Sequence, residues 1–103
     1  MYNRMMQKFT INGDVWKWNG SQGSWHFIYI DNKNGKKIKE SQRGLGRRGF
    51  GAVKVKATLG RTSWTTSIFP TKEGPYLLPI KAMVRKEESV FDGDKVKIIC
   101  ELI

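Results

Sequence analysis

From Ala52 to Leu59 the chain reads AVKVKATL, with valines and lysines in strict alternation. Successive side chains of a β-strand point to opposite faces, so this spacing hides the valines in a core and holds the lysines in water. Gly60-Arg61 turns the chain back into Thr62 to Phe69, rich in β-branched and aromatic residues, and Pro70 stops it. A chain built around that hairpin is committed to a sheet with one apolar side. With 103 residues it has length for one core, which removes about 60 to 70 percent of the unfolded surface from water.

The remaining segments fit the same plan. Phe9, Ile11 and Val15 with polar residues between them predict a half-buried first strand running on through Trp16-Lys17-Trp18. Asn19-Gly20 supplies turn chemistry in a polar loop that reaches Gly23, and Ser24 to Ile30 is the partner strand. A short helix is expected over Lys36 to Gln42, capped by Asp31 or Asn32 and anchored by Ile38. Beyond the central hairpin, Lys72 to Pro75 reads as a loop and Tyr76-Leu77-Leu78 as a strand. Pro79 suits the first turn of a second helix, in which Ile80, Met83 and Val84 share a face and which ends near Glu88. Asp92-Gly93-Asp94 turns into a last strand, Lys95 to Ile103, with Val96, Ile98 and Cys100 on one face.

Charge is the strongest functional signal. Nineteen basic residues against nine acidic ones make the formal charge +10, which favours anionic partners. Lys33, Lys36, Lys37, Lys39, Arg43, Arg47 and Arg48 crowd the stretch from Asp31 to Arg48, opposed by Asp31 and Glu40 alone. Such a run is either a solvated face or the footprint of nucleic-acid binding through released counterions. Arg47 and Arg48 on their glycine turn can offer two forks to a phosphate or carboxylate.

Several chemistries find no support. Gly44-Leu45-Gly46-Arg47-Arg48-Gly49 has the form G-x-G-x-x-G, but a dinucleotide site needs a hydrophobic strand before it and a helix after it. His26 is the one histidine, and no acid, base and nucleophile converge, so a structural role is favoured for it. Cys100, the one cysteine, sits in an alternating strand and reads as a small buried apolar group, which suits a reducing compartment. No apolar run approaches the roughly 18 residues of a membrane span. Trp16, Trp18, Trp25 and Trp64 are many for this length. Trp16 and Trp18 share a face by alternation, and at least one of the four is left for a partner or a pocket rim.

The two halves echo each other. Trp25 to Ile30 corresponds to Tyr76 to Leu78, and Gly51-Ala52-Val53-Lys54-Val55 to Gly93 through Ile98, with a short helix between strands in each. A duplicated unit packs about an internal two-fold axis as identical subunits do about a molecular one, which predicts a monomer. Tyr76 to Lys81 followed by Asp92 to Ile98 is similar to the swapped-hairpin unit of AbrB and MazE transcription factors. The whole of Lys8 to Leu102 resembles the bacterial family called domain of unknown function nineteen-oh-five, on Trp25-His26-Phe27, Arg47 to Gly51, Trp64 to Pro70, Tyr76 to Pro79, Lys81-Ala82 and Val84-Arg85-Lys86. That resemblance implies a double-split β-barrel of the AbrB class, in some proteins fused to a bacteriocin-protection domain, with no activity to carry over. Asp31 stands where members often have proline after the strand.

The expectation is therefore a mostly β protein, a small AbrB-like barrel with two short helices and an internal duplication. Residues 1–7 are read as a flexible N-terminal segment and 8–103 as one domain, cytoplasmic and monomeric, with no cofactor, metal or membrane partner. The leading function is non-enzymatic binding of nucleic acid or another polyanion through Lys36, Lys37, Lys39, Arg43, Arg47 and Arg48. The alternative is a small-ligand pocket at the barrel mouth lined by Trp25, Trp64, Tyr76, Lys81 and Arg85, the last two lying on one helix face.

Overall fold

The computed structural model describes residues 8–20, 23–42, 51–72 and 74–103. In chain order its elements are β1 (Lys8–Asp14), β2 (Trp16–Gly20), β3 (Gly23–Tyr29), α1 (Asn32–Ser41), β4 (Val53–Leu59), β5 (Thr62–Pro70), β6 (Tyr76–Pro79), α2 (Ala82–Glu88) and β7 (Lys95–Leu102). The strands form one antiparallel seven-stranded sheet in the order β1-β7-β4-β5-β6-β3-β2. A mostly β chain with two short helices is what the alternation pattern predicts.

Val53, Val55, Ala57 and Leu59 of β4 are buried while Lys54 and Lys56 are exposed. Across the ladder Ala57 faces Cys100 and Ile11 faces Ile98, and all of these lie in the core. Among the described residues no polar or charged residue is buried, so the interior carries no ionic desolvation cost. The sheet curls into a half-barrel that brings β1 over β3. Gly13 permits that approach, because a Cβ there would stand 2.9 Å from Ile28 Cγ1 and 3.5 Å from the Tyr29 carbonyl oxygen.

Partner choice corrects several sequence expectations. The first strand is two strands, because β1 pairs with β7 whereas β2 pairs with β3. Val15, buried at the changeover, donates to the Asp94 carbonyl at 2.8 Å and accepts from Gly93 N–H at 2.7 Å. Asn19 and Gly20 pair with Ser24 and Gly23, so they belong to the ladder and not to the turn. Helix α1 starts at Asn32 rather than Lys36 because Asp31, extended at φ −60°, accepts the Asn34 N–H at 3.0 Å. An N-cap of this kind fixes where a helix begins.

Pro79 ends a strand and does not open a helix. It stands opposite Phe27, and Ile80 N–H continues the pairing to the His26 carbonyl at 2.9 Å. Only after Lys81 does α2 begin, burying Ile80 and Val84 beside it and leaving Met83 outside. The two strand–helix–strand units, β3-α1-β4 and β6-α2-β7, pair like with like: β3 runs antiparallel to β6, and β4 to β7.

Candidate functional site

Helix α2 is held at its C-terminal end. Ser89, the C-cap at φ 55°, closes its last turn, and Val90 N–H donates to the Arg85 carbonyl at 2.9 Å before its side chain enters the core. Glu88 reaches the β4–β5 turn, where its Oε2 accepts from Arg61 N–H at 3.2 Å and Thr62 Oγ1 at 2.6 Å. This anchoring seats α2 beside β5 and places Arg85 in the hollows it lines together with His26 of β3.

Two adjoining hollows open there and share His26, Ala82 and Arg85. The larger, about 580 Å³, adds Lys17, Lys86, Phe91 and Asp92 among its lining residues. The smaller, about 260 Å³, adds Trp25, Pro79 and Lys81. Lys17 arrives because it stands directly opposite His26 in the β2–β3 ladder. Arg85 Nε donates to the Ile80 carbonyl at 3.2 Å, which orients the guanidinium. Among the described residues no carboxylate forms an ion pair with Lys17, Lys81, Arg85 or Lys86.

His26 registers this electrostatic surplus. Burial, then the charges of Arg85 and Lys17, push its imidazole below the usual 6.5, with Asp92 pulling the other way. Its Nδ1 is buried without a hydrogen-bond partner. The imidazole is therefore neutral near pH 7, and the positive charge of the hollow resides on the arginine and lysines.

Among the described residues, the sequence-predicted site residues divide into three groups. Trp25, Lys81 and Arg85 line the smaller hollow together. Trp64 and Tyr76 are core residues, 5% and 4% exposed, and line neither hollow. The Trp64 indole N–H donates to the Pro79 carbonyl at 3.3 Å, and burial pushes the Tyr76 phenol up. Lys36, Lys37 and Lys39 lie exposed on α1. Lys36 and Lys39 help line a separate hollow of about 310 Å³ with Gly74 and Pro75, which shares no residue with the α2 hollows. Arg43, Arg47 and Arg48, with the G-x-G-x-x-G run up to Gly49, lie outside the described residues.

Lys17, His26 and Lys86 escape sequence reading as site residues. Lys17 and His26 meet through hairpin register, and counting back from the paired Trp18 and Trp25 would have found the contact. Lys86 has no such local signal. Cys100 is fully buried and its thiol is pushed up to about 12 by burial, which matches a packing role. Among the described residues no helix is long and apolar enough to cross a membrane.

No curated protein matches the chain. The family model described as domain of unknown function (DUF1905) matches residues 12–99, a span that contains every residue of the two α2 hollows. This chain belongs to the DUF1905 family.

Proposed function

We propose that the chain is a non-enzymatic binding module for an anionic partner, received in the hollows between α2 and β3. The observation that carries this reading is the convergence of Arg85, Lys17, Lys81 and Lys86 around His26, with no neutralising ion pair among the described residues. Arg85, with Nε committed to the backbone, keeps its terminal nitrogens for a phosphate or carboxylate. A net charge of +10 adds long-range attraction to a nucleic acid or other polyanion, and the α1 lysines Lys36, Lys37 and Lys39 contribute to it.

The like-with-like pairing of the two strand–helix–strand units supports reading them as copies, within a double-split barrel of the AbrB class that acts as a monomer. On this reading the α2 hollow is the mouth site, and Trp25 gives it an aromatic wall.

Amide chemical shifts followed during titration with inorganic phosphate and then pyrophosphate test the site. The expected result is saturable movement at His26, Ala82 and Arg85, lost in Arg85→Gln and weakened by salt. Shifts that never saturate, or that spread evenly over the exposed lysines, overturn it.

A further inference from the structure

The outer face of the sheet carries a feature that the α2 hollows touch only at Trp25. In the β2–β3 ladder Trp18 stands opposite Trp25 and Trp16 opposite Phe27, and Tyr29 of β3 stands opposite Leu77 of β6, which in turn stands opposite Phe69 of β5. The intervening residues Ile28, Leu78 and Ile68 point inward and are fully buried, so the aromatic side chains share the opposite, solvent face. Trp18 is 51% exposed, Trp25 52%, Tyr29 50% and Phe69 40%. Scattered apolar residues on a surface need no account, but four large aromatics gathered on one sheet face do.

Two details mark this face as a prepared surface. Trp16 lies partly buried against both Phe27 and Tyr29, each ring centroid 5.2 Å from its own, the Tyr29 pair being stacked. That packing holds Tyr29 in place from one side while its other side meets water. Continuing across the same face, β4 presents Lys54 opposite Ser67 and Lys56 opposite Thr65. Lys81 meets Trp25 at the smaller hollow. Among the described residues Lys54, Lys56 and Lys81 form no ion pair; Glu101, which stands opposite Lys56, is the acid nearest in register.

We infer that this face binds single-stranded nucleic acid, with bases stacked on Trp18, Trp25 and Tyr29 and the backbone phosphates held by Lys81, Lys54 and Lys56. The occupant follows from the chemistry of the face. Four large exposed rings lie on the face that also carries Lys54 and Lys56, which form no ion pair among the described residues, in a chain of charge +10. Flat rings offer a π-face to every base, and cations beside them neutralise the phosphates between successive bases. A duplex keeps its bases stacked on each other and has none to offer, so single strands are selected. The inference rests on the proposed anionic partner and names its class and the surface it follows from the α2 hollow onto the sheet.

Fluorescence anisotropy of a labelled oligothymidylate, measured against the same oligonucleotide annealed to its complement, tests the platform. Trp18→Ala and Trp25→Ala should each weaken single-strand binding between about five-fold and a hundred-fold, while Trp18→Phe and Trp25→Phe, which keep a ring, recover most of it. The salt dependence should be unchanged by the tryptophan variants and should flatten in Lys54→Gln/Lys56→Gln. Both tryptophans are half-exposed, and circular dichroism of each variant verifies the fold. Equal affinity for duplex and single strand overturns the inference, as does wild-type affinity in the alanine variants, or capture of a polypeptide on this face with no oligonucleotide binding. If phosphate saturates the Arg85 hollow while the tryptophan variants bind as wild type, the platform alone falls; if no anion binds at all, the proposed function falls with it.

Discussion

His26 is the residue at which the electrostatics of the hollow can be read directly. Its imidazole is held below 6.5 by burial and by the adjacent Arg85 and Lys17 charges, so a proton-detected titration should find it titrating lower than a free histidine. Arg85→Gln removes one of the charges that lower it, and the titration should then move upward; no movement would detach Arg85 from the hollow. An anion bound beside the imidazole acts in the same direction, so affinity should rise as pH falls below 6.5. Stability moves oppositely. The unfolded chain binds this proton more readily than the folded one, so the folded state loses stability as pH falls from 6.5 through the lowered value and is unaffected by this group above it. Sequence reading gives His26 no catalytic partner, and nothing local to Trp25-His26-Phe27 announces an arginine from the second helix.

The helices and strands show which local signals are sufficient. Asp31 alone places the start of α1: its carboxylate accepts the Asn34 N–H at 3.0 Å, and Asn34 Nδ2 reaches the Thr10 carbonyl at 2.9 Å, tying the helix to β1. Helix α2 has no side-chain cap and depends on tertiary contacts at its far end. There Glu88 accepts from both Arg61 N–H and Thr62 Oγ1. Gly60, at φ 61°, lies so close to that carboxylate that any Cβ would collide with it. Glu88→Ala should therefore cost about 1–2 kcal/mol in chemical denaturation, and Thr62→Val should cost less in the Glu88→Ala background than in the wild type. Equal costs in the two backgrounds would show that the carboxylate and the hydroxyl act independently. Alternation predicted the inward and outward sides of β4 and β7 correctly because period-two burial is a property of a strand by itself. It could not divide residues 8–20 at Val15, since that break exists only because β1 and β2 have different neighbours.

At the scale of the whole chain, closure of the half-barrel depends on β1 crossing β3 at Gly13, against a fully buried Ile28 that cannot retreat. Gly13→Ala should destabilise the protein by about 1–3 kcal/mol, whereas Asn12→Ala, exposed on the same strand, should stay within about 0.5 kcal/mol; thermal melting separates the two. Similar melting points would mean that β1 can shift to accept the methyl group. Among the described residues, the cations named above lie in three separate places, with Lys36 and Lys39 at α1, Lys81, Arg85 and Lys86 at α2, and Lys54 and Lys56 on the outer sheet. The sequence run from Asp31 to Arg48 accounts for only the first of these. By itself the sequence determined the alternating faces of β4 and β7, a polar cap for α1 at Asp31 or Asn32, the buried Cys100 and the excess of positive charge, because each follows from side-chain period, local hydrogen bonding or simple count. Tertiary structure alone decided that Trp64 and Tyr76 go inside while Trp18 and Trp25 face water, and that Lys17, His26 and Arg85 share a hollow. Those outcomes depend on which strands become neighbours, and neighbours are chosen by the packing of the whole sheet.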